Sequence, residues 1–131
     1  MIYLDANVPM YLVGRPHPHK ADTQLALERL AAERRRLVTS SEVFQEVLHR
    51  YTSTDRRDKI EPAFETLRGL VDEVLAVEEL DVFAAKDLLH AHPRLSARDA
   101  VHAAVMRRRG ITEILSFDRG FEVLGGLERL P

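Results

Sequence analysis

The chain has 131 residues, 45% of them apolar and 31% charged, with a formal net charge of −2, which fits one domain over residues 1–131 around one core. That balance excludes the strongly basic total that usually marks a nucleic-acid binder, although acids gathered on a divalent cation or a local arginine patch are compatible with such binding. With no cysteine, disulfides, thiolate metal sites and a cysteine nucleophile are excluded; no segment approaches the ~20 apolar residues of a membrane span, and the start lacks a secretory pattern, so a cytoplasmic protein away from membranes is expected.

"IYL" at 2–4 is a short apolar run ending on Asp5 and reads as a buried strand. "ANVPMYLV" begins a short helix that stops at Gly14, and "GRPHPHK" is a proline-punctuated loop. From Ala21 to about Arg36 the composition is rich in Ala, Leu, Glu and Arg, all good helix formers. "LVT" at 37–39 reads as a second strand, and Ser40 or Ser41 caps a helix running to about Tyr51. After the polar break "STDRRDK", a helix covers roughly 60–70, a strand 72–77 and a helix 80–91. "HPRLS" is a loop, Ser96 to Arg109 is a helix ended by Gly110, "TEILSF" at 112–117 is a fourth strand, and a short fifth falls at 127–130. Strands alternate with helices throughout, which favours an α/β fold with a parallel sheet covered on both faces. In such sheets ligands collect at the carboxyl ends of the strands, so residues directly after strands are the first candidates for a site.

Asp5 follows the first strand and Asp118 follows the fourth. Each alone reads as readily as a helix cap or a turn residue. Asp99 lies in "SARDAVHAAVM", where apolar residues surround nearly the whole circumference, so its helix should be largely buried. Ser96 and Asp99 have the spacing of an N-cap and N3 pair, and a carboxylate has lone pairs left after one cap bond. In "SEVFQEVLHRY", at ~100° per residue, Glu42 points roughly 170° from the apolar face and Glu46 roughly 130°. Glu42 therefore faces solvent, while Glu46 lies on the flank, where it is either solvated or turned toward a cleft at the sheet edge. Carboxylates that converge repel one another and are kept together by a hard cation. Mg²⁺ or Mn²⁺ takes all-oxygen ligands, and the chemistry that fits is in-line attack of water on a phosphodiester.

"YLDAN", "SSEVFQEVL", "LSARDAVHAAVM" and "ILSFDRGF" resemble, in order and spacing, the four acidic blocks of PIN-domain ribonucleases, over residues 2 to about 121. The chain length is similar to that of the VapC-type toxins of toxin–antitoxin pairs. The resemblance implies a PIN-like three-layer sandwich with a parallel sheet of about five strands in the order 3-2-1-4-5. It places the family's acids on Asp5, Glu46, Asp99 and Asp118, with Asp5, Asp99 and Asp118 holding Mg²⁺ or Mn²⁺ and Glu46 completing the cluster and orienting water. Asn7 and Ser116 fall on supporting positions and Phe121 on the aromatic that closes the last motif. Gly120 stands where some members carry a further acid, which puts a five-acid site and a second metal in doubt. The activity implied is a metal-dependent endoribonuclease, with tRNA or ribosomal RNA among the targets. A cognate VapB-type antitoxin and a homodimer are the implied partners. The alternatives are a non-catalytic PIN-like module that binds RNA or its antitoxin, and a phosphatase with Asp5 as nucleophile, which usually wants an acid where Asn7 stands.

Arg98 and Arg119, each beside a proposed ligand, are candidates for holding substrate phosphate. Arg15 is a further one, with His17, His19 and Lys20 in the same loop. Three residues after Asp99, His102 reads as a packed core histidine or as a hydrogen-bonding support to the acids. The arginine runs at 34–36 and 107–109 sit at helix C-termini, where the helix dipole and solvation account for them.

Overall fold

A computed structural model describes residues 1–130. Five short parallel strands, β1 (Ile2–Leu4), β2 (Leu37–Ser40), β3 (Glu73–Leu75), β4 (Glu113–Leu115) and β5 (Glu128–Leu130), form one sheet in the order 3-2-1-4-5. Every residue of β1 and β2 is buried, as expected of central parallel strands covered on both faces.

The six α-helices are α1 (Asn7–Val13), α2 (Pro18–Ala32), α3 (Ser41–Ser53), α4 (Ile60–Leu70), α5 (Glu79–Ala91) and α6 (Ala97–Arg108). The chain steps from β1 to β2 to β3 in one direction and then crosses back to β4 on the other side of β1. Right-handed crossovers therefore put α1–α4 on one face and α5 and α6 on the other. The contacts agree: α1 packs on α2 and α4, α3 on α4, and α5 on α6. The reversal makes the gap between the ends of β1 and β4 the topological switch point.

Most boundaries fall within two residues of the sequence expectation. The exception is α2, which begins at Pro18 instead of Ala21 and ends at Ala32 instead of Arg36. Pro18 occupies the first turn, where its missing N–H costs nothing, and the His17 ring accepts from the His19 N–H as a cap. The helix closes where Arg34 takes a left-handed φ of 55°. At the other expected stop, Gly110 takes φ 67° and ends α6. Between α5 and α6, the buried Asp81 carboxylate receives both Nε (2.7 Å) and Nη2 (2.9 Å) of Arg108 and also caps α5 through the Glu78 N–H.

Ile114 is fully buried at the middle of β4, paired with Tyr3 on one side and Arg129 on the other. Ile114→Ala is expected to lower unfolding free energy by about 2–5 kcal/mol, the usual cost of truncating a packed aliphatic core residue. Denaturant titration of the parent and variant checks this; a loss under about 1 kcal/mol would mean the site collapses around the cavity.

Candidate metal centre

The β1–β4 register sets the site. Leu4 pairs with Leu115, so the next residue of each strand, Asp5 and Ser116, stand side by side. The Asp5 N–H extends the ladder to the Leu115 carbonyl (3.2 Å), and the Ser116 hydroxyl donates to Asp5 Oδ2 at 2.6 Å. Asp5 Oδ1 accepts the Ala6 N–H at 2.8 Å. The Asn7 amide donates to Asp5 Oδ2 (3.4 Å) and Ser116 Oγ (3.2 Å), while its carbonyl accepts the Phe117 N–H (3.4 Å). Both supporting positions expected from the sequence thus hold Asp5 in place. Burial raises the Asp5 pKa above the ordinary carboxylate range, His102 opposing and Glu46 adding to the rise.

Asp99 and Asp118 form the second part of the centre. The Ser96 hydroxyl accepts the Asp99 N–H (3.1 Å) and caps α6. The Asp99 carboxylate plays no part in that cap and instead shares the space beside Gly120 with the Asp118 carboxylate. Asp118 caps the short 3₁₀ turn at Arg119–Val123 by accepting the Gly120 N–H (2.8 Å), so the turn reading and the site reading of this residue both hold. Burial, then the neighbouring Asp118 and the charge of Asp5, push the Asp99 pKa from 3.8 to about 7. Asp99 therefore ionises less readily than a free carboxyl beside its acidic neighbours.

Gly120 has a steric role here. A Cβ at this position would lie 3.0 Å from Asp118 Oδ1 and 3.1 Å from Asp99 Oδ2. The hydrogen of glycine leaves the space between the two acids open, and any side chain would begin to fill it.

Glu46 is 6% exposed, so of the two readings its flank position allowed, the turn inward is the one observed. Its Oε1 accepts from His102 Nε2 (3.1 Å) and its Oε2 pairs with Arg50 Nε (3.1 Å). Burial pushes Glu46 up, but the His102 bond and the charges of His102, Arg50 and Arg98 outweigh it and hold the carboxyl below its usual range. Glu42 departs from its solvent expectation: it is half-buried against Arg98 Nε of α6 (3.4 Å). Arg98 also donates to Gln45 (3.1 Å), so two contacts from α3 hold it beside Asp99. Arg119 is exposed next to Asp118, and Arg15 is exposed in the loop after α1.

His102 is the residue that sequence reasoning undervalued. It is fully buried, with Nε2 on Glu46, Nδ1 on the Tyr3 hydroxyl at 2.8 Å, and Nε2 at 3.9 Å from Asp5 Oδ1. Burial lowers its pKa, but the Glu46 bond and the charges of Asp5, Glu46 and Asp99 more than reverse that. Both ring nitrogens are thus engaged, Nε2 with a carboxylate and Nδ1 with a hydroxyl. The Tyr3 hydroxyl bridges His102 Nδ1 and Ser40 Oγ, the latter at 2.6 Å. Ser40 is therefore spent on Tyr3 and makes no side-chain cap for α3. Ligand atoms of Asp5, Glu46 and His102 all lie within 4.8 Å of one another. His102 is nevertheless committed at both nitrogens, which leaves the carboxylates as the available donors. The donor set thus fits a hard divalent cation: carboxylate oxygens, buried or half-buried, and a glycine-lined opening beside two of the acids.

The sign of the pH dependence follows. A pKa raised on folding stabilises the protein below the unfolded value of 3.8, and that contribution is lost as pH rises through about 7. In EDTA, Asp99→Asn is expected to remove part of the fall in melting temperature across this window. It should also blunt the rise in melting temperature that Mg²⁺ gives the parent above it. Equal slopes for parent and variant would show that Asp99 does not carry the proton.

Comparison with known proteins gives the family and the fold. The PIN domain family model matches residues 2–127. Ribonuclease VapC13 of Mycobacterium tuberculosis is 52% identical over 130 residues, covering 99% of both chains. The M. tuberculosis toxin VapC20, described as cleaving the sarcin–ricin loop, superposes with a TM-score of 0.74 at 24% identity, over 95% of each chain. VapBC2 of Rickettsia felis, solved bound to a promoter DNA fragment, gives a TM-score of 0.75 at 16% identity, over 99% of this chain and 98% of that one. The order of the strands, the acids at their ends and the full-length match place this chain in the PIN-domain family, among the VapC ribonucleases.

Proposed function

We propose that this chain is a divalent-metal-dependent endoribonuclease, acting as a single PIN domain and as the toxin of a toxin–antitoxin pair. The observation that carries the reading is the grouping of acids from separate segments at the strand ends: Asp99 and Asp118 flank the open space beside Gly120, and both Asp118 and Asp5 act on Asp99. Asp5, Asp99 and Asp118 would hold Mg²⁺ or Mn²⁺. When bound, the cation supplies positive charge against the developing phosphorane oxygens and acidifies the attacking water.

The chain's own residues do the rest. Asn7 and Ser116 hold Asp5 Oδ2, so its orientation is set before substrate arrives. Glu46, kept ionised by His102 and Arg50, is an acceptor for a proton of the attacking water and orients its lone pair toward phosphorus. Arg119 and Arg15 are exposed cations for the flanking phosphates. Arg98 is a weaker candidate because Glu42 already neutralises it.

The relatives support the biological assignment. A structured RNA such as tRNA or ribosomal RNA is the proposed target, a VapB-type antitoxin the proposed partner, a homodimer the proposed assembly and the cytoplasm the proposed compartment. Among the described residues, no helix is long and apolar enough to cross a membrane.

Purified protein should cleave RNA with Mg²⁺ and stop on addition of EDTA. Asp5→Asn should cut the rate roughly a hundredfold or more, the scale of losing one preorganised electrostatic group from a transition state, with an unchanged circular dichroism spectrum. Parent-level cleavage by the variant would overturn the assignment of Asp5. RNA binding without any cleavage by the parent would leave a non-catalytic module.

A further inference from the structure

Beside the acids lies a groove of about 610 Å³ with the opposite character. Four cations line it, Arg15, Arg50, Arg56 and Lys59, and among the described residues no carboxylate does. The contrast with a chain of net charge −2 is local and strong. Arg56 is matched by Asp58 and Arg50 by Glu46. Lys59 touches only the Val13 carbonyl (3.3 Å), and Arg15 has no hydrogen-bond or ion-pair partner among the described residues. The groove runs into the acidic centre, because Asn7 and Arg50 belong to both.

One wall of the groove is an aromatic stack. Tyr11 and His17 lie nearly parallel with centroids 5.2 Å apart, and Phe117 packs edge-on behind Tyr11 at 5.3 Å. His17 is exposed, yet its ring is not free to turn, because Nδ1 accepts the His19 N–H at 3.0 Å. An exposed ring held in place on a supported partner is a platform prepared for one more flat ring.

We infer that this groove binds an unpaired stretch of the RNA substrate, one base stacking on His17 and adjacent phosphates meeting Arg15 and Lys59, next to the scissile phosphate at Asp5. The inference rests on the ribonuclease reading and specifies its substrate: single-stranded RNA, or a loop of a folded one. RNA is favoured over a peptide because the exposed His17 ring lines the same groove as Arg15 and Lys59, two cations without carboxylate partners, the pairing that bases and phosphates require.

Binding of a fluorescently labelled single-stranded RNA in EDTA, read by anisotropy, tests this apart from cleavage. His17→Asn keeps a side-chain cap on α2 but removes the ring, and should weaken single-strand binding about tenfold. Arg15→Gln with Lys59→Gln should reduce the slope of log affinity against log salt by about 1.4, at about 0.7 per lost phosphate contact on a single strand. Lys86→Gln, on the exposed face of α5, serves as the control and should change neither. A duplex of the same sequence should show no dependence on His17.

Absence of RNA binding by the parent overturns the inference. So do variants that bind with the parent's affinity and salt slope, including the case where they lose only the antitoxin, which would make the groove a peptide site. Equal dependence of duplex and single strand on His17 overturns the stacked base. Cleavage by parent and variants alike with unchanged KM defeats the groove and leaves the nuclease reading standing. Groove-dependent binding without Mg²⁺-dependent cleavage does the reverse.

Discussion

The parallel pairing of β1 with β4 is the constraint on which the centre depends. Those strands are far apart in the chain, yet the Leu4–Leu115 register sets Asp5 directly against Ser116. A slip of one residue would turn Asp5 to the opposite face of the sheet. Burial of every β1 residue makes that slip costly, so the hydrophobic core and the catalytic geometry are enforced by the same contacts. The crossover from β3 to β4 adds α6, which delivers Asp99 and His102 from the other layer.

Electrostatics divides the centre into two unlike halves. Around Glu46, His102 and Arg50 supply positive charge, and the carboxyl stays ionised. Around Asp99, burial and the neighbouring Asp118 and Asp5 outweigh the opposing charge of His102, and its pKa rises to about 7. A site with one satisfied acid and a strained pair is suited to a reaction needing both a ready acceptor and a vacant cation position. The His102–Tyr3–Ser40 chain keeps the satisfied half rigid, since each of its atoms is buried and each bond commits the next.

The basic groove completes the electrostatic picture. A fold with net negative charge and a concentrated acidic pocket would repel a polyanion. Collecting Arg15, Arg50, Arg56 and Lys59 along one approach gives phosphates a path to the acids without making the whole surface basic.

Much of the fold was legible in the sequence because its elements are punctuated by short-range signals: Asp5 after an apolar run, Ser96, Gly110; Pro18, which reads as a loop residue, instead opens α2. The alternation of strand and helix led to a parallel sheet, and the resemblance of four acidic blocks to those of PIN-domain ribonucleases implied the strand order and pointed to Asp5, Glu46, Asp99 and Asp118. What no local pattern carried was the direction of individual side chains. Helical angle alone put Glu42 in solvent and left Glu46 between two states; their outcomes depend on Arg98 and His102, residues more than fifty positions away. His102 looked like packing because one apolar helix cannot reveal that Tyr3 and Glu46 flank it from other elements. Gly120 looked like a missing acid until its Cβ position was seen to fall between Asp99 and Asp118. Local sequence determined which segments form and which residues end them, since capping and periodicity act over a few positions. Tertiary structure alone decided which acids ionise more readily, which less, and where the basic wall lies, because pKa values and charge complementarity depend on neighbours that only the folded chain brings together.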